Sequence, residues 1–352
     1  MEHAPQRNTV VGIQYLRAIA ALLVLVHHAR NPRPWLFNPL KGWDFTAGVE
    51  IFFVISGVIM LVAARDERPA DFMRRRMIRV VPLYWIATLT WLAWLAWRDL
   101  DLPTTRDLLL SLGMIPHEGS LHPGIVWPVL VPGWTLNFEM FFYALFAVGL
   151  AFRRVMAVVP AALLLLVGAG YAFSPDDPIL KTYTSPLLLG FLGGLGVVWL
   201  RERSPAFARA WPLALVGGGL LCVHFSPWFS LPKVAVIGAA TLLVAGVMAL
   251  EPLIARRPSK PLLALGDASY AIYLFHTLVL AVVAWRCRTM DLEAWPQFLT
   301  VVGLGIGLSV AAGLAVHYWI EKPMLKGLLK LGRRRGRPPG ITSAEPAPSR
   351  AS

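Results

Sequence analysis

The chain has 352 residues, 57% of them hydrophobic and only 15% charged, with a formal net charge of +13. So much apolar surface cannot be enclosed in one globular core, which excludes a soluble domain and makes lipid the solvent. A charge of this size would admit a nucleic-acid binder, so the placement of the 33 basic residues has to decide.

Apolar runs long enough to cross about 30 Å of hydrocarbon predict spans near 13 to 30, 46 to 64, 79 to 97, 134 to 151 and 155 to 172. Five more fall near 184 to 200, 210 to 226, 232 to 250, 261 to 285 and 297 to 320. The expected fold is an all-α polytopic integral membrane protein of about ten transmembrane helices. With a cytoplasmic N-terminus, 23 basic residues fall in inner segments and nine in outer loops, while Arg17 lies inside the first span. This asymmetry predicts an N-in, C-in orientation. Topology and anionic lipid then account for the basicity, and no nucleic-acid partner is expected.

Residues 1–12 read as a cytoplasmic N-terminus, 13–325 as the transmembrane domain and 326–352 as a basic cytoplasmic tail, expected to be disordered once apolar periodicity ends after Leu331. No small-residue cleavage site follows the first apolar run, which reads as an uncleaved anchor. Cys222 and Cys287 are expected as free thiols, and no repeat of fixed period is visible.

Ionisable residues within spans carry the functional information, because each costs roughly 2.5–3.5 kcal/mol or more at a helix centre. They are Arg17, His27, His28, Glu50, Glu139 and His276; Asp267 and Glu321 lie near inner helix ends. Arg17 and His28 are eleven residues apart, so they share a helix face, about 16 Å apart along the axis. Glu50 opens the second span at the predicted depth of His28 and is expected to orient it as a general base. Glu139, with Tyr143 one turn on, also lies on the outer side, so three titratable groups are expected at one depth. A transporter's proton relay would present the same groups. On the inner side, Arg74, Arg75, Arg76 and Arg79 read either as topogenic charges or as a phosphate clamp of guanidinium forks. No metal site is expected.

The local motifs resemble the membrane-bound acyltransferase-3 family. They are YLRAIAALLVLVHH, with Arg17 and His28; GVEIFFVISG, with Glu50; RRRMIRVVPLYW, with Arg76, Arg79, Pro82 and Tyr84; GWTLNFEMFFY, with Trp134, Glu139 and Tyr143; LGDASYAIYLFH, with Tyr270, Tyr273 and His276; and IEKP, with Glu321. They occur in order over roughly residues 10 to 325. The resemblance implies a ten-span O-acyltransferase of a bacterial-type inner membrane. It would use cytoplasmic acyl-CoA, most often acetyl-CoA, and act on a carbohydrate or glycosylated acceptor at the outer side. By resemblance Arg17 and His28 would be the residues most needed for activity, and Arg76 and Arg79 would bind the donor. Joined to the reading of the spans, Glu50 is expected in the catalytic set, Arg75 and Tyr84 at the donor site, and Trp134, Glu139 and His276 at the acceptor. Glu50 stands where many relatives have Asp. The outer-loop residues Trp35, Trp43, His117, His122 and Trp127 are expected to shape the acceptor site.

Overall fold

The computed structural model describes residues 10–30, 36–290 and 292–335, with side chains as far as Lys330. Its helices are α1 (Val11–Ala29), α2 (Gly48–Ala64), α3 (Pro69–Trp97), α4 (Thr105–Leu112), α5 (Trp134–Ala151), α6 (Val155–Phe173) and α7 (Pro178–Tyr183). They continue with α8 (Leu189–Arg203), α9 (Pro212–Phe225), α10 (Lys233–Ala249), α11 (Glu251–Ile254), α12 (Lys260–Cys287), α13 (Ala294–Val316) and α14 (Lys322–Arg335). There is no strand among the described residues. Seven helical segments are long and apolar enough to cross a membrane, and α2, α9 and α10 are shorter apolar helices. The protein is an all-helical, polytopic membrane protein.

Lipid tails are as apolar as leucine, so helices in a bilayer associate through close packing of small residues and through polar contacts. α1 sits between α2 and α12; α2 also packs on α8 and α10, and α13 on α12. Gly57 of α2 and Gly194 of α8 face each other so closely that a Cβ on Gly57 would overlap the carbonyl oxygen of Phe191. A Cβ on Gly266 of α12 would likewise overlap the carbonyl of Gln14 in α1. Beside the α2–α8 seam, Phe191 stacks on Phe142 with ring centroids 4.2 Å apart and lies 4.8 Å from Phe53.

Polar ties show which helix ends share a face. The backbone N–H groups of Val11 and Gly12 donate to Glu251 Oε1 and Oε2 at 2.7 and 2.8 Å, so a carboxylate from α11 caps α1 across 240 residues of chain. It meets the orphan donors and the positive end of the helix dipole. Arg65, after α2, pairs with Glu202 of α8 at 2.8 Å. This arginine face also carries the N-terminus of α3 and the turn between α5 and α6. At the opposite end, Asp44 lies 3.6 Å from His27 and 3.8 Å from His224. This histidine face also carries the N-termini of α2, α5 and α10. α13 ends in a π turn, His317–Glu321, where His317 Nδ1 lies 2.6 Å from Glu321 Oε2.

The expectation that order ends after Leu331 does not hold for the next four residues, since α14 continues to Arg335; residues 336–352 and Trp35 lie outside the described residues.

Candidate active site

Helices α1, α2, α3, α5 and α12 enclose a cavity of about 290 Å³. α2 lines it from Val49 to Ala63, through Phe52, Ser56 and Ile59, along one face with helical spacing. Fourteen residues at 1.5 Å each make this wall about 21 Å long, so the cavity is a slot along the helix axis. Facing α2 are Gln14 and Arg17 from α1, Arg76 and Arg79 from α3, Thr135, Glu139 and Tyr143 from α5, and Ser269, Tyr270 and Tyr273 from α12.

The slot is cationic. Arg17 Nη1 donates to Gln14 Oε1 at 3.1 Å, and the Arg76 guanidinium lies 5.3 Å from the Phe72 ring and 5.8 Å from that of Tyr143. Glu139, the carboxylate in the slot, accepts a short hydrogen bond from the Tyr143 hydroxyl, and Ser56 Oγ lies 3.5 Å away. Among the described residues, none of Arg17, Arg76 and Arg79 has a carboxylate within ion-pairing distance. Unpaired guanidiniums in a low-dielectric interior are costly, and their geometry suits an anion with several oxygens.

At the far end of the slot, Tyr273 hydroxyl donates to the Pro132 carbonyl at 3.0 Å and bonds Thr135 Oγ1 at 2.8 Å. Its ring lies 5.9 Å from Phe52 on one side and 5.9 Å from His276 on the other. His276 in turn meets His28, with ring centroids 4.9 Å apart and planes at 61°. Nδ1 of His28 lies 2.8 Å from the Val24 carbonyl, and Nδ1 of His276 lies 2.7 Å from that of Tyr273. A carbonyl can only accept, so both Nδ1 atoms carry the hydrogen. In the neutral rings both Nε2 atoms therefore present a lone pair. His276 Nε2 is buried without a partner.

This geometry corrects several expectations. Glu50 does not orient His28: it is 1% exposed and paired with Lys233 Nζ at 2.6 Å. The group holding the His28 ring is a backbone carbonyl one turn back on its own helix, which no side-chain pattern reveals. Nor do His28, Glu50 and Glu139 converge, because Glu139 faces inward to the arginine slot while Glu50 faces α10. Arg75 is bound to Glu67 and does not line the slot, so only Arg76 and Arg79 of the arginine run reach it. Tyr84 is buried away from it, donating to the Ser111 carbonyl at 3.1 Å and packing on Gly133, which ties α3 to the segment around α4. Trp134 packs edge-on against Phe138 and does not line the slot either, and His276 is 1% exposed against His28. His117 is buried, whereas His122 packs on Trp127 and Trp43 stacks on Phe45. Cys222 is exposed and Cys287 buried, both as free thiols. Among the described residues no group of three or more His, Cys, Asp or Glu could hold a metal ion.

Sequence reasoning gave no site role to Ser56, Thr135, Tyr270 or Tyr273. The two tyrosines could have been found, because Ser269, Tyr270 and Tyr273 recur at helical spacing one turn before His276 in an otherwise apolar helix.

Residues 10–314 match the family model described as an acyltransferase domain. The chain belongs to the acyltransferase-3 family. It is 40% identical over 318 residues to the exopolysaccharide production protein ExoZ of Rhizobium meliloti (strain 1021), covering 86% of this chain and 95% of the relative. It is 26% identical over 347 residues to the acyltransferase MdmB of Streptomyces mycarofaciens, covering 86% of this chain and 85% of that one. No solved structure matches. The slot and the histidine pair therefore belong to a membrane O-acyltransferase.

Proposed function

We propose that this enzyme moves an acyl group, acetyl by family resemblance, from cytoplasmic acyl-CoA to a hydroxyl of an exported polysaccharide at the outer side of a bacterial inner membrane. In this reading all ten apolar helices cross, with both termini in the cytoplasm, so the arginine face is the donor side and the histidine face the acceptor side. The polysaccharide acceptor rests on the likeness to an exopolysaccharide production protein.

The observation that carries the proposal is the slot with three guanidiniums, none within ion-pairing distance of a carboxylate among the described residues, running between the arginine face and Tyr273. Arg17, Arg76 and Arg79 take phosphate oxygens of the donor, and the pantetheine arm extends along α2. Arg17 and His28 are about 16 Å apart along α1, a distance such an arm can bridge. The thioester must pass Phe52 and Tyr273 to reach His28, so these rings move or the acyl end threads between them. His28 Nε2 then takes the proton of the acceptor hydroxyl while its oxygen bonds to the acyl carbon. The carbon–sulfur bond breaks and the CoA thiolate leaves, taking up the proton.

The test is acyl-CoA turnover in membranes by His28→Ala and Arg17→Ala at normal expression, together with the thermal shift produced by CoA. Loss of transfer with each variant, and loss of the CoA shift with Arg17→Ala only, is expected. Wild-type transfer by His28→Ala would sink the proposal.

A further inference from the structure

A second concavity, of about 860 Å³, opens on the arginine face beside the slot. It is lined by the end of α2 and the start of α3 (Leu61 to Pro69), by the turn between α5 and α6 (Leu150 to Ala157), and by Trp199, Glu202 and Arg203 of α8. Its acids are largely engaged: Glu202 with Arg65 and Glu67 with Arg75. Arg68, Arg153, Arg154 and Arg203 have no carboxylate partner among the described residues, and the Arg203 guanidinium lies 4.7 Å from the half-exposed Trp199 ring. Topology requires arginines on a face but does not require them around a basin.

The turn between α5 and α6 sets where two of these arginines stand. The N–H of Arg153 bonds the carbonyl of Leu150 and that of Arg154 bonds the carbonyl of Gly149, the pattern of a Schellman cap closing α5. The residue at the left-handed position of such a cap is ordinarily glycine, since a Cβ is strained there. Here it is Arg153, with φ +54°, as Asp99 and Met114 fill the same position after α3 and α4.

The basin also adjoins the slot. Val62 and Ala63 line the slot while Leu61 and Arg65 line the basin, and Arg75, bound to the rim residue Glu67, directly precedes Arg76. We propose that the basin binds the phosphorylated nucleoside end of the acyl donor, with Arg153, Arg154 and Arg68 on its ribose phosphate and the Trp199 indole beside its adenine, while the slot takes the arm. This rests on the acyl-CoA reading above. The shared chemistry is a phosphomonoester, which an anionic lipid headgroup could also supply.

The experiment measures binding of acetyl-CoA, 3′-dephospho-acetyl-CoA and acetyl-phosphopantetheine to the full chain in bilayer discs of neutral lipid, and again with phosphatidylglycerol. Arg153→Gly removes the guanidinium and relieves the cap, so the empty protein should be at least as thermally stable. It should nevertheless bind acetyl-CoA about tenfold more weakly, the worth of one charge-assisted hydrogen bond, with acetyl-phosphopantetheine binding unchanged. Wild type should show a similar drop in affinity for dephospho-acetyl-CoA. Arg68→Ala, away from the cap, should repeat the pattern. Equal affinity of wild type and both variants for acetyl-CoA would overturn the basin proposal alone. Unchanged acetyl-CoA affinity with less co-purifying phosphatidylglycerol would make the basin a lipid site and also overturn it. Wild type that binds none of the three compounds would remove the donor reading and the basin with it.

Discussion

Lys233 Nζ lies 2.6 Å from Glu50 Oε1, joining the first turn of α10 to the first turn of α2. The carboxylate is buried and the ammonium half-exposed, so the pair is a helix clamp whose removal leaves a charge without a partner. Lys233→Ala should lower stability by about 1–3 kcal/mol, the cost of stranding one buried polar partner, read by denaturant unfolding in detergent. Glu50→Gln with Lys233→Met should recover part of that loss. Because Glu50 does not touch His28, Glu50→Gln should leave the pH profile of kcat/KM where it is in wild type.

His28→Ala should reduce kcat by about 10²–10⁴, the usual contribution of a general base, with KM for the donor little changed. His276→Ala should have a smaller effect on kcat, since its ring is wholly enclosed and its Nε2 is buried without a partner among the described residues. Donor-only incubation with labelled acyl-CoA should leave no label on the protein; label that chases into product on adding acceptor would show that transfer passes through an acyl-enzyme instead.

Arg76→Met should stabilise the empty protein and weaken donor binding together. It removes one of three guanidiniums in the slot that have no carboxylate within ion-pairing distance among the described residues, and puts an apolar side chain of similar reach beside Phe72. The measurement is apparent melting temperature with and without CoA. In wild type CoA at about 100 times Kd should stabilise by about 2.7 kcal/mol, and in the variant the shift at the same concentration should shrink.

Gly194→Val should prevent normal folding, because its Cβ would overlap the Val54 carbonyl across the seam between α2 and α8. Small-to-large changes in packed interiors cost about 1–3 kcal/mol or more, and here backbone would have to move. Membrane yield and protease resistance should both fall.

Asp107, outside the membrane-spanning helices, should make the α4 segment acid-sensitive. Burial pushes its carboxyl up, but hydrogen bonds from Ser120 Oγ and N–H, and from the Thr104 N–H, outweigh it and bring the pKa down to about 2. A depressed carboxylate contributes stability that is fully present above the unfolded value near 3.8 and fades as pH falls through the folded value near 2. Protection from hydrogen exchange in residues 104–120, measured against the intrinsic rate at each pH, should therefore fall between pH 4 and about 2, and Asp107→Asn should be less protected at neutral pH and lose that dependence.

The apolar helices were legible because runs such as 155–172 have no other use for so many apolar residues, and α6 occupies nearly that interval. Arg17, Arg76 and Arg79 were legible for a related reason: charge that must be buried in lipid announces a partner. The helix end near which Glu50 and His28 lie was legible as well, but direction was not. Glu50 and His28 do open or close neighbouring helices at one end, yet which neighbour each side chain meets depends on helix rotation and on Lys233, 183 residues away. The contact between His28 and His276 links α1 to α12 and leaves no mark in local spacing. Glu251 at the N-terminus of α1 is the same kind of fact, a cap supplied from the far end of the chain.

With each Nδ1 committed to a carbonyl, His28 and His276 offer two basic nitrogens but room for one positive charge. Two imidazolium rings 4.9 Å apart, one of them wholly enclosed, would repel too strongly to coexist in a medium of low dielectric. The pair is thus a single-proton store. In the proposed reaction each transfer would fill it, and it would have to discharge, to the departing thiolate or to water, before the next hydroxyl could be activated. Turnover by that route would have an upper limit set by the release of one proton from the pair, however fast donor and acceptor arrive.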